Sequence, residues 1–153
     1  MMKNNITFYT LLLFCTTLLS ACMEDISPSA IKEGNKTLEG TWIIKKVGQQ
    51  NGALLAENYG ELTFSPEDLD LLQGALSFKE NNAKTTVETS YAFTLNVSDD
   101  QIEFLYLHFD PSYNVLIEGE YQIMELSKER ILMEEPFKPE DGLTIEMVKK
   151  VVE

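Results

Sequence analysis

Few residues in this chain are able to do chemistry. Cys22 carries a thiol and follows Leu19, Ser20 and Ala21 at the end of a short apolar run, with Cys15 inside that run. His108 is the sole histidine and stands two residues before Asp110. Together they could begin a metal site or an acid–base pair, but a catalytic zinc takes three protein ligands. The competing reading is a histidine that simply ends an apolar strand. Asp68 and Asp70 do not continue into a calcium loop, because the glycine and closing glutamate are misplaced. The pairs Asp99-Asp100, Glu134-Glu135 and Glu140-Asp141 suit solvated turns better than a cation. No Gly-x-Ser-x-Gly elbow, phosphate-binding loop or dinucleotide glycine pattern occurs. We therefore expect no enzyme, no metal and no cofactor. What remains is the Cys22 thiol and an aromatic set, Trp42, Phe78, Tyr91, Phe93, Phe104, Tyr106 and Tyr121, that would either line a ligand site or fill a core.

The elements before Cys22 decide its fate. Residues 1–5 hold one positive charge, Lys3, and residues 6–18 form an apolar stretch diluted by threonines. That stretch is too short and too polar for a permanent span, and has the proportions of a secretion signal with small residues at its end. Leu19-Ser20-Ala21-Cys22 resembles the lipobox of bacterial lipoproteins. The resemblance implies cleavage between Ala21 and Cys22, acylation of the Cys22 sulfur, and attachment to a lipid bilayer, here the outer membrane of a cell envelope. Each buried acyl methylene contributes about 0.8 kcal/mol, and more than one chain makes attachment stable. Cys15 would leave with residues 1–21, so no thiol is left for a disulfide and the core alone must hold the fold.

Acids outnumber bases 25 to 12, a net charge of −13, and removing Lys3 with the leader makes it one charge more negative. Such a surface repels phosphate backbones, which excludes nucleic acid as a partner. Residues 22–37 are polar, with Pro28 and Gly34, and read as a flexible tether. Glu24-Asp25 within it resembles a surface-export signal of Bacteroidetes-type lipoproteins, and an ordinary solvated linker is the alternative. Residues 38–153 then form one domain.

Its pattern is β. A glycine and Trp42, Ile44 and Val47 open it, and residues 61–64 suggest a short strand. Ser65-Pro66-Glu67-Asp68, with leucines following and Gly74 stopping, predicts one short helix near 66–73. From Leu76 the period is two. Residues 83–97 alternate without a slip, as one long strand or two in phase. Ile102, Phe104, Tyr106 and His108 share one face and Leu105, Leu107 and Phe109 the other. The outer of those faces is apolar enough to expect cover from the 66–73 helix or from a partner. Val115, Ile117, Gly119, Tyr121 and Ile123 alternate next, with Gly119 placed for a bend. Residues 143–152 fit strand or helix, and a meander needs a last strand to close on its first. Consecutive short strands with tight turns give an all-β antiparallel up-and-down meander closing into a small barrel.

From Leu38 on, the chain resembles the lipocalin-like domains of Bacteroidetes lipoproteins, within the calycin group. The likeness rests on Gly40-Thr41-Trp42, on Leu76-Ser77-Phe78 before an asparagine turn, and on residues 121–126 running into Ile131-Leu132-Met133. It implies a small lipocalin-like barrel without a catalytic centre and with room for an apolar ligand. The family pattern packs a late arginine on the tryptophan, and only Lys149 and Lys150 stand there in this chain. Two roles follow: binding a small apolar molecule or an envelope protein from a membrane anchor, or acting as a protein-binding inhibitor or adaptor through loops such as 136–142 and an acidic surface.

Overall fold

The structure, a computed structural model, describes residues 26–138 and 140–151. Eight antiparallel strands run β1 (Gly40–Gln49), β2 (Leu54–Ser65), β3 (Gln73–Glu80), β4 (Val87–Leu95), β5 (Ile102–His108), β6 (Gly119–Leu126), β7 (Arg130–Glu134) and β8 (Leu143–Lys149). Each pairs with the next, and β8 returns to β1, so the sheet closes. The all-β up-and-down barrel expected from the alternating pattern is the fold. Residues 143–149 are its closing strand, with Ile44 opposite Met147 and Trp42 opposite Lys149. Closure leaves no strand edge open.

Strand parity sorts the side chains. Trp42, Ile44, Leu62, Phe64, Leu76, Phe78, Tyr91, Phe93, Leu105, Leu107, Tyr121, Ile131, Met133, Ile145 and Met147 fall on the inner face and are buried. Residues 83–97 contain one strand, β4, not two. Irregularities sit where the pattern misleads. The alternation through Val115 and Ile117 is loop, and β6 begins only at Gly119. A register shift between Thr94 and Leu95 leaves Glu103 as an extra residue and turns Ile102 inward, away from Phe104. The short strand expected at 61–64 is longer: residues 54–60 extend β2 through an irregularity at Asn58, whose φ is 46°.

The helix is not where the capping pattern puts it. Residues 66–72 form turns: Asp68 Oδ1 accepts from the Asp70 amide at 2.9 Å, and Phe93 N donates to Leu72 O at 2.9 Å. The carbonyls of Leu69 and Leu71 accept from Asn35 Nδ2 at 3.0 and 2.7 Å, so they serve a distant side chain instead of a helical ladder. Asn35 belongs to α1 (Pro28–Leu38), which occupies most of the stretch expected to be a tether. Pro28 is its first residue, and Ala30, Ile31, Gly34 and Leu38 make an apolar stripe against the barrel. A Cβ on Gly34 would stand 3.0 Å from the Phe93 ring, so glycine is what lets the helix lie this close. Gly40, at φ 106°, then swings the chain from helix into β1. Within the described residues no helix is long and apolar enough to cross a membrane.

Candidate functional site

α1 closes one end of the barrel. Asn35, fully buried, gives both amide hydrogens to the 66–72 turns, while Tyr91 Oη donates to its Oδ1 at 3.1 Å. Trp42 Nε1 donates to Leu38 O at 2.7 Å, fixing the helix end to β1. Lys149 lies with its ammonium 4.5 Å from the centre of the Trp42 ring and donates to the carbonyls of Thr37 and Glu39. A lysine thus takes the place the family pattern gives to arginine, cation over ring, with helix carbonyls as its acceptors. Burial lowers the Lys149 pKa, and the Glu39 carboxylate works the other way.

Above this plug the interior is packed. Phe64 meets Tyr91 edge-on at 5.0 Å, and Tyr91 stacks with Phe93 at 6.5 Å. Five of the seven aromatic residues singled out in the sequence, Trp42, Phe78, Tyr91, Phe93 and Tyr121, point into this interior and are buried. Phe104 and Tyr106 do not. The inward phase of β5 belongs to Leu105, Leu107 and Phe109, which puts Phe104 and Tyr106 on the outer wall. There Tyr106 stacks on His108 at 6.4 Å, and burial followed by Glu120 and Glu103 pushes its hydroxyl pKa up. With residues 66–72 in turns, the helix expected there does not cover that wall.

His108 and Asp110 do not pair as an acid–base couple. His108 is exposed on the outer wall, while Asp110 Oδ1 accepts from the Ser112 amide at 2.9 Å and caps the single 3-10 turn Pro111–Tyr113. That bonding holds the Asp110 carboxyl below the usual carboxylate range. Among the described residues no three histidine, cysteine, aspartate or glutamate side chains gather to hold a metal. Ala21 and Cys22 lie outside the described residues.

The other end of the barrel is different. Here the 109–118 connection folds over the mouth with Phe109 and Ile117 buried beneath it. Tyr59 reaches up from β2, its ring 5.5 Å from Phe78 and its Oη accepting from the Leu116 amide at 3.2 Å. Phe78 in turn meets Phe109 edge-on at 5.8 Å. Burial raises the Tyr59 pKa, with the Leu116 bond acting against it. Between Tyr59, Phe78, Val87, Tyr113 and Val115 and the polar Glu80, Thr85 and Asn114, this end opens into a hollow of about 180 Å³. Three hollows of about 300 to 350 Å³ lie elsewhere, all on the outer wall among lysine, glutamate and backbone groups.

Of the mouth residues, the sequence singles out Phe78 alone. Tyr59 is hidden because Asn58, in left-handed backbone, breaks the alternation just before it. Val115 and Tyr113 sit in a loop. The Asn58-Tyr59-Gly60 triplet is the one local signal, since a left-handed asparagine beside a glycine marks a break in a strand.

No known family model and no curated protein matches the sequence. Solved structures match by shape. A redesigned β-barrel aligns over 77% of this chain and 96% of its own, with 11% identity and a TM-score of 0.49. A lipocalin-like protein from Bacteroides uniformis aligns over 74% of this chain and 99% of its own, with 14% identity and a TM-score of 0.49. Japanin from Rhipicephalus appendiculatus, solved bound to cholesterol, aligns over 72% of this chain and 74% of its own, with 10% identity and a TM-score of 0.46.

Proposed function

We propose that this chain is a non-enzymatic, lipid-anchored binding protein of the cell envelope that takes a small apolar molecule at the open end of its barrel. The observation that carries this reading is the contrast between the two ends. Helix α1, Trp42 and Lys149 seal one, whereas Tyr59 and Phe78, backed by the buried Phe109, line the 180 Å³ hollow at the other. A dry hollow of about 150 Å³ is known to hold a benzene-sized guest, so the ligand is small or enters by one ring or short chain.

Acylated Cys22 supplies the anchor in this reading. Five residues lie between it and Pro28, a reach of at most roughly 20 Å. The sealed end is therefore the membrane-proximal one, and the mouth faces away. Labelled palmitate tests the anchor: wild type takes it up and Cys22→Ala does not, and equal uptake would refute the anchor. Titration with indole tests the site. Val87→Trp fills the hollow and should weaken indole at least about tenfold, the loss expected when a pocket of this kind is blocked. Unchanged affinity in a folded Val87→Trp variant would exclude the mouth.

A further inference from the structure

We infer that the acidic half of the open end, built from connections 109–118 and 135–142, is a docking surface for a basic segment of a partner protein that carries an apolar side chain beside its lysine or arginine. The two connections hold Asp110, Glu118, Glu135, Glu140 and Asp141 against Lys138 alone. They meet in space: a Cβ on Gly119 would stand 3.7 Å from Glu135 Oε1. The same point is 3.7 Å from Tyr121 Oη, so the tyrosine runs from its own position on β6 up toward this rim. Tyr121 is fully buried, and its hydroxyl has no hydrogen-bond partner among the described residues. A buried hydroxyl without a partner is a group waiting for one. Beside two carboxylates, the complement it lacks is a donor carrying positive charge.

The site already accommodates a cation. Lys138 Nζ donates to Glu135 Oε1 at 3.1 Å from a largely exposed side chain, while Glu135 Oε2 accepts from the Leu143 amide at 2.9 Å. An ammonium or guanidinium from a partner would displace Lys138 and bond to Glu135, with Glu118 on the same rim, and the buried Tyr121 hydroxyl beneath would have to turn outward to accept from it. Next to it Phe137 is 95% exposed, and Tyr113 and Leu116 are exposed across the rim. Apolar rings ringed by one sign of charge are the pattern of a recognition surface whose partner carries the opposite charge around an apolar anchor. This surface shares Tyr113 with the indole-sized hollow, but its charged groups and Phe137 lie outside that hollow, whose lining includes neither Glu118, Gly119, Glu135 nor Phe137.

The test uses the full chain in phosphatidylcholine nanodiscs and three labelled synthetic peptides, of alternating Lys and Leu, Lys and Ser, and Glu and Leu. Fluorescence anisotropy should show the Lys/Leu peptide binding at least about tenfold tighter than either control. The double variant Glu118→Gln, Glu135→Gln, which keeps an acceptor for Leu143, should lose about tenfold, and so should Phe137→Ser. Tyr121→Phe should weaken binding while leaving the thermal midpoint within a few degrees. Asp99→Asn with Asp100→Asn removes the same charge at the sealed end and should change affinity less than about twofold. Equal losses in the two double variants would reduce the effect to net charge and overturn the proposal. Lys/Ser binding as tight as Lys/Leu, or an unaffected Phe137→Ser, would overturn it too. Indole titration of the same variants stays at wild-type affinity whichever way the peptide result falls, which keeps the two sites separable.

Discussion

Asn35 ties three things together with one amide: the carbonyls of Leu69 and Leu71 and the hydroxyl of Tyr91. Asn35→Ala leaves the buried Tyr91 hydroxyl and the part-buried Leu69 and Leu71 carbonyls unpaired, and urea unfolding should show a loss of about 2 kcal/mol. The Tyr91 hydroxyl is pushed up to about 12 by burial, with Glu39 adding to it. Its folded value stands above the unfolded one, so stability is intact below pH 10 and falls as pH climbs from 10 toward 12. Tyr91→Phe should remove part of that alkaline decline, and Tyr121, shifted the same way by burial, accounts for more of it. At Lys149 the lost contacts are the Trp42 ring and two helix carbonyls. Lys149→Met should cost about 1 kcal/mol in the same assay, and Lys149→Arg should recover most of it. Parity places Tyr91 and Phe93 inward on β4, but both faces of β5 are apolar, and nothing local told Phe104 and Tyr106 from the inward Leu105 and Leu107. Asn35 was not legible: a lone asparagine in a polar stretch carries no mark of the partners that a distant turn will bring to it.

At the scale of elements, local patterns were reliable where they agreed with neighbours and failed where tertiary bonding competed. β8 was readable because a barrel needs a closing strand. The Ser65-Pro66 start has every mark of a helix, yet the following carbonyls serve Asn35 instead. α1 stayed hidden for the opposite reason. Gly34, Asn35 and Thr37 are weak helix formers, and the stripe of Ala30, Ile31, Gly34 and Leu38 is short and small. Its stability comes from docking on Phe93 and Ile102, which no local pattern shows. Gly34→Leu should therefore lift α1 off the barrel, losing at least about 2 kcal/mol and exposing apolar surface that binds the dye ANS. Unchanged dye binding in that variant would mean that the helix is not the seal.

As a whole molecule, the barrel is asymmetric along its axis. One end is a plug carrying the chain toward Cys22, and the other gathers exposed Leu54, Leu55, Tyr113, Leu116 and Phe137 among acids. The strongly acidic composition was plain from the sequence, but the gathering of Asp110, Glu118, Glu135, Glu140 and Asp141 at one rim needed the fold, since residues 109–118 and 135–142 meet only once β6 pairs with β7. The central claim is that binding occurs at the mouth and that the packed interior admits nothing. Methyl-labelled NMR during indole titration tests it most directly. Saturable shifts should be confined to Val87 and Val115 at the mouth, with Ile44, Met133, Ile145 and Met147 inside the barrel unmoved. Shifts centred on those interior methyls would contradict the account, because they would place the guest among side chains that are fully buried in the core.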